Sequence, residues 1–482
     1  MPDNVDVFCL IGIVYIIICF IINQHKVEAL ESPVKFKGHL VKGSKAAVAV
    51  EAEECSNVGI EILKKGGNAV DAAIASTLCI GVIHSFATGG FMLIRSPNGT
   101  FEYIDFRETA PMAAKKDMFI HNPLLAQIGG LSVAVPGEIR GLELAHQRHG
   151  KLSWYELFEP SIRIARNGFK ATELLEIRVK EAEDWMKNSI EWSKVYFHNG
   201  KPIKKGDIVK RPNLANTLDI IAQQGADAFY KGEIAHQLVD TVQSHGGILT
   251  LQDLENYQAI IRKPLYGFYH GRKVITTSEP TSGPVLLSVL NLIERFEFNN
   301  HEHKSLDVHR LIEAFKFGYA FRTELADPDV IHHPERIQEM ISKDYAAYIR
   351  HQITDNSTHE PLYYHPKFDH IDSHGTMHLS VVDEENGAVA LTSTINLAFG
   401  SHIMDPTTGI ILNDEMDDFS IPGIQNMFGL YPSKYNYASP GKRPLSSITP
   451  TIIEKDTKFE LAIGASGGSF IPTATLNVSF EL

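Results

Sequence analysis

Between residues 374 and 420 the chain reads H-G-T-M-H-L-S-V-V, then T-S-T-I-N-L-A-F-G-S, and ends N-D-E-M-D-D-F-S. No other stretch restricts the fold so tightly. Met377, Leu379 and Val381 alternate with His378, Ser380 and Val382, the two-residue period of a half-buried strand. A second apolar run over 388–394 follows Asp-Glu-Glu-Asn-Gly, a turn-forming cluster whose Asn386-Gly387 pair favours hairpins. The two runs predict an antiparallel hairpin. Centred on Glu385, it sets Thr376 opposite Thr394; centred on Asn386-Gly387, it moves the partner to Leu397 and keeps Thr394 a neighbour.

A threonine hydroxyl is a weak nucleophile unless a base stands beside it, and its own α-amine can be that base. That route requires Thr376 to become a chain N-terminus. Gly375 leaves the preceding backbone free to distort, so the Thr376 hydroxyl can attack the Gly375 carbonyl and split the chain by an N-to-O acyl shift. For an isolated G-T pair the plain alternative is a turn glycine followed by a solvent-facing strand threonine. Thr394, Asn396, Glu415 and Asp418 weigh against that alternative. A hydroxyl, an amide and two carboxylates so close in sequence suit orienting a nucleophile and holding an ammonium group.

Together, G-T-x-H-L-S-V-V, T-S-T-I-N, N-x-E-M-D-D-F, P-L-S-S and G-x-x-G-G make the chain resemble the γ-glutamyltranspeptidase family, from about Gly43 to the C-terminus. The resemblance implies an α/β fold, a four-layer αββα sandwich of the N-terminal nucleophile hydrolase type. It implies cleavage between Gly375 and Thr376, giving a large subunit over 30–375 and a small subunit over 376–482 that pair as a heterodimer. The implied activity is that of a γ-glutamyltransferase and glutathione hydrolase. Thr376 attacks the γ-glutamyl amide of glutathione or a conjugate, and water, an amino acid or a dipeptide then takes the acyl group.

The same resemblance assigns roles. Arg107, in F-R-E-T-A-P, holds the glutamyl α-carboxylate with Ser446 and Ser447; Asn396, Glu415 and Asp418 hold its ammonium. Thr394 orients the Thr376 hydroxyl, and Gly467 with Gly468 forms the oxyanion hole. No metal or organic cofactor is implied. Two departures stand out: the loop 84–90 carries fewer glycines than in the family, and the chain ends soon after Gly468, where the family's small subunit continues. Either the sequence is a fragment, or the small subunit is truncated and has unfilled sheet edges. Two other readings stay open: a secreted, non-catalytic relative that binds without maturing, and a related amidohydrolase with a different acyl preference.

The apolar run over 7–22 is short for a membrane span and long for a signal-peptide core. No Lys or Arg precedes it, lysines follow it, and Val27-Glu28-Ala29 suits a signal peptidase. Residues 1–29 read as a cleaved signal or a single-pass anchor, and either places the body in a secreted form or on the extracellular face of the membrane. Cys9 and Cys19 lie in this leader, leaving Cys55 and Cys79. A bridge is the default in an oxidising compartment, and the resemblance implies one as well; two reduced core thiols are the other reading. Acidic and basic residues are interspersed at a net charge of −13, which leaves no footprint for nucleic acid.

The remaining local signals frame these residues. Over 54–65 Cys55, Val58, Gly59, Ile62 and Leu63 share one helical face before Gly66-Gly67, and Asn68 with Asp71 opens a second helix. Pro97-Asn98-Gly99 divides two strands, 91–96 and 101–106, and leaves Arg107 at a strand end. Ser153 and Glu156 form a capping box. His146 and His149 lack a carboxylate at metal-ligand spacing and read as surface histidines.

Overall fold

The computed structural model describes residues 40–480, apart from 86–87, 299–303, 332, 370–375, 424, 426 and 428. The leader and Gly375 therefore lie outside the described residues. Among those described, no helix is long and apolar enough to cross a membrane.

The predicted hairpin is the centre of a six-stranded antiparallel sheet. Its strands are β1 (Ala47–Val50), β2 (Gly89–Arg95), β3 (Phe101–Asp105), β4 (Ile260–Arg262), β7 (Thr376–Val382) and β8 (Ala388–Thr394), in the order β1-β7-β8-β2-β3-β4. A second sheet contains β5 (Leu265–Tyr269), β6 (Arg272–Thr276), β9 (Thr451–Lys455) and β10 (Lys458–Ile463), in the order β10-β9-β6-β5.

The hairpin register pairs Thr376 with Thr394 and centres on Glu385. Asp383 decides between the two candidate turns: its Oδ1 accepts the N–H groups of Glu385 at 3.0 Å and Gly387 at 2.8 Å. Asn386, at φ 63°, supplies the left-handed residue this loop needs.

Strand alternation builds the layers. In β2 and β8, Met92, Ile94, Val389 and Leu391 point into a core shared with helices α1 (Glu53–Lys64) and α2 (Ala69–Ile83). Their neighbours Phe91, Leu93, Ala388 and Ala390 face the other way, onto Ile275 and Ile452 of the second sheet. Val274 and Ile453 of that sheet then face α7 (Gly283–Ile293) and α8 (Lys304–Arg322). Each sheet thus buries both faces, one on helices and one on the other sheet, which is the four-layer αββα sandwich expected from the resemblance.

Outside α1 and α2 lie α3 (Glu138–His149), α4 (Trp154–Asn167), α5 (Pro212–Gln224) and α6 (Glu233–Ser244). Asn68 caps α2 as read from the sequence: its side chain accepts from Val70 and Asp71, and Asp71 Oδ2 accepts the Asn68 N–H at 3.1 Å. The Ser153–Glu156 box opens α4. Cys55 and Cys79 are bonded to each other, joining α1 to α2. His146 and His149 bond Leu152 O and Glu102.

Candidate active site

Thr376 opens β7 and Thr394 closes β8, so the sheet register brings their hydroxyl oxygens to 3.1 Å. Both residues are buried. Beyond Thr394 the chain turns through Asn396, whose φ of 73° is a left-handed conformation that Asn tolerates better than most residues. The turn returns the Asn396 N–H to Thr394 Oγ1 at 2.9 Å, while Asn396 Nδ2 donates to Asp414 O at 3.1 Å. His378 shares the Thr376 face of β7 but does not serve it. Its ring nitrogens bond Thr392 and Ser380 at 2.8 and 2.9 Å, and burial pushes its pKa down to about 3.

Arg107 lies just past β3 and is 1 % exposed. Its two terminal nitrogens pair with Glu415 and Asp418, and Glu108 Oε2 stands 3.9 Å away. The guanidinium also reaches Pro444 O and Leu445 O, each at 3.4 Å. Burial alone would discharge Arg107, but Glu415, Asp418 and Glu108 outweigh it and hold the group ionised. The acids respond in the opposite sense. Burial raises Glu108 to about 7 and Glu415 well above the usual carboxylate range, in both cases against the pull of Arg107.

A hydroxyl links this charged cluster to the threonine pair. Thr88 Oγ1 donates to Glu108 Oε1 at 2.6 Å and lies 3.0 Å from Thr394 O. The sequence reading missed both Thr88 and Glu108. Glu108 had a signal in F-R-E-T-A-P, an acid beside the assigned arginine, but its complete burial could not be read there. Asp414 was missed as well: its Oδ1 accepts the Leu397 N–H at 3.0 Å, and burial raises its pKa well above the ordinary range.

Ser446 and Ser447 follow Leu445 and are buried. Ser446 Oγ accepts the Ile448 N–H at 3.2 Å, and Ser447 Oγ accepts from Arg322 at 2.8 Å. In these bonds both hydroxyl oxygens act as acceptors, so each still carries an O–H to donate. The loop after β10 reaches β7 through Gly464, where an added Cβ would fall 2.3 Å from His378 Cε1. Gly467 and Gly468 follow at φ 111° and 58°. This loop meets β7 at His378 and makes no bond to Thr376 among the described residues.

Two cavities separate size from chemistry. One adjoins the cluster and is lined by Asp418, Arg322, Asn436 and Leu445 among others. A larger one lies in the helical layer; Thr88 and Glu138 line it, but Arg107 and Thr376 do not. The chemistry selects the smaller. A buried cation beside several carboxyl groups complements an α-amino acid zwitterion, and a paired threonine hydroxyl stands one Glu108–Thr88 link away. Among the described residues no group of His, Cys, Asp and Glu is arranged to hold a metal ion.

Residues 55–482 match the family described as gamma-glutamyltranspeptidase. The chain is 46% identical over 449 residues to glutathione hydrolase proenzyme 1 of Schizosaccharomyces pombe, covering 91% of this chain and 71% of that protein. It is 40% identical over 478 residues to glutathione hydrolase 2 of Arabidopsis thaliana, covering 97% and 81%. The solved gamma-glutamyltranspeptidase from Pseudomonas nitroreducens complexed with L-DON is similar at 32% identity and a TM-score of 0.61, over 68% of this chain and 99% of that one. By this family match and these relatives, the chain belongs to the γ-glutamyltranspeptidase family.

Proposed function

We propose that this chain cleaves the γ-glutamyl amide of glutathione and its conjugates through a γ-glutamyl ester on Thr376, and passes the acyl group to water, amino acids or dipeptides. The observation that carries the reading is the buried Arg107–Glu415–Asp418 cluster, linked through Glu108 and Thr88 to the Thr376–Thr394 hydroxyl pair. A γ-glutamyl group presents a carboxylate and an ammonium on one carbon. Arg107 answers the first, with Ser446 and Ser447 beside it; Glu415, Asp418 and Asn396 answer the second. In the absence of substrate these opposite charges satisfy one another, and a zwitterion can exchange for that internal pairing without leaving a buried ion alone.

His378 does not serve as base, since both its nitrogens are engaged by other hydroxyls; as the family resemblance implies, the α-amine of Thr376, freed by cleavage after Gly375, takes the hydroxyl proton. Thr376 Oγ1 adds to the γ-carbonyl while the N–H groups of Gly467 and Gly468 receive the developing oxyanion. The α-amine proton passes to the departing amine, and the C–N bond breaks to leave the ester. Water or an acceptor amine then repeats the sequence in reverse. Two processed chains, 30–375 and 376–482, form the heterodimer. The Cys55–Cys79 bridge supports a site of action outside the cytosol, secreted or held at the extracellular face by the 1–29 segment.

Intact-mass analysis of purified protein, paired with γ-glutamyl anilide turnover, tests the proposal. Wild type gives two chains and turnover; Thr376→Ala gives one chain and none. A single uncut wild-type chain without turnover would establish the non-catalytic reading, and cleavage without γ-glutamyl turnover the reading of a different acyl preference.

A further inference from the structure

The larger cavity lies between α2, α5, α6 and residues 410–413, and its wall is mostly apolar, with Leu78, Val82, Leu218, Ile221, Leu238 and Ile411 lining it. Its lining has the character of a small-molecule site, mostly apolar with a few placed polar groups. One basic and one acidic side chain on its lining are more than nine-tenths buried: Arg211 at 3% exposed and Glu138 at 6%.

Arg211 donates to Gly81 O and Val82 O at 3.1 Å, to Ser85 Oγ at 2.8 Å and to Gly409 O at 2.9 Å. Every one of these acceptors is neutral, and no carboxylate among the described residues pairs with the guanidinium. Gly81 and Val82 belong to the last turn of α2, so the arginine caps the negative end of that helix. A helix end offsets only part of the cost of burying an ion. Accordingly burial pushes the Arg211 pKa down, opposed only by Tyr196.

Glu138 does not supply the missing anion. Its Oε2 accepts from Ser393 Oγ at 2.6 Å, and burial raises its pKa to about 8, so at neutral pH it is protonated. The cavity therefore carries one uncompensated positive charge. Arg211 and Leu214 line a second depression as well, together with Lys194, Lys210, Glu191 and Asp405. Arg211 lines both this mixed-charge depression and the apolar interior.

We propose that the cavity binds an unbranched aliphatic monocarboxylate of medium chain length, its carboxylate on Arg211 and its chain along Leu78, Leu218 and Ile221. One positive charge calls for one negative charge, and a polyanion would leave surplus charge in an aliphatic space. The cavity is lined by Thr88 and Glu138 but by neither Thr376 nor Thr394, so its occupancy does not depend on cleavage at Thr376.

Calorimetric titration of the full-length protein with octanoate, and with 1-octanol as an uncharged control of equal length, tests this. Octanoate is expected to bind once per chain and at least fivefold more tightly than octanol. Thr376→Ala should bind as wild type does, and Leu218→Trp, which fills the cavity, should lose at least tenfold in affinity. A smaller acid-to-alcohol ratio, an absence of saturable octanoate binding, or smaller loss in a folded Leu218→Trp protein overturns the proposal. The acid-to-alcohol comparison needs no variant and stands even if Leu218→Trp fails to fold.

Discussion

Thr376 and Thr394 face each other across β7 and β8 with their hydroxyl oxygens 3.1 Å apart, and the main-chain N–H of Asn396 holds the second of them in place. A two-strand ladder, rather than a flexible loop, thus sets the nucleophile's geometry. Thr394→Val keeps the shape and removes the hydroxyl. It should lower kcat on a γ-glutamyl anilide by roughly tenfold, the worth of one hydrogen bond of about 1–1.5 kcal/mol. Thr394→Ser should retain most of the activity. Unchanged turnover in the valine variant would remove Thr394 from the mechanism.

Arg107→Lys keeps the charge and loses the fork that lets one group address two partners. The expected penalty on kcat/KM is roughly tenfold or more, about 1.5–3 kcal/mol for a hydrogen bond to a charged group. Amidating the substrate's α-carboxylate should erase most of the difference between wild type and variant, while self-cleavage stays intact. An equal penalty on both substrates would assign Arg107 to the fold alone.

Glu138 makes stability depend on pH in an unusual direction for a carboxylate. Burial raises its pKa from 4.5 to about 8 in the folded protein, so between those values the folded state holds a proton that the unfolded state has released. Its contribution is fully present below pH 4.5 and is lost as pH rises through 8, at no more than about 1.4 kcal/mol per pH unit. Glu138→Gln mimics the protonated form. Melting temperatures at pH 5, 6.5 and 8 should fall less steeply for the variant than for wild type, and parallel profiles would refute the assignment.

The Cys55–Cys79 bridge closes a separation of 24 residues, worth on the order of 3 kcal/mol in the chain-entropy account. Replacing both cysteines by serine should lower the urea midpoint accordingly and spare the pH profile of turnover. Alkylation of both thiols in native protein would show that no bridge forms.

Local signals carried the hairpin, the α2 cap and the nucleophile's partner, because each rests on residues a few positions apart. What the sequence could not supply was who pairs with whom over long distances. Val48 pairs with Val381 in the sheet, and Arg107 meets Glu415 and Asp418; neither meeting leaves a trace in local periodicity. The roles given to Arg107 and to the two acids came from resemblance, and geometry adds that the three engage one another. Glu108 was overlooked for a related reason: an acid beside an arginine reads as solvated until burial shows that both are sealed in.

The strand order has a consequence for inheritance of shape. In the first sheet β7 lies between β1 and β8, and β8 lies against β2; in the second, β9 lies against β6. A cut before Thr376 would therefore leave two polypeptides dovetailed along three backbone ladders, none of which crosses the severed bond. Pulling them apart would strip hydrogen bonds from both sheets at once, an outcome as costly as unfolding. Continuity of the chain is needed to bring the strands together and becomes redundant afterwards. Two separately synthesised halves, although identical in composition to the processed pair, would lack that guide and meet as strangers.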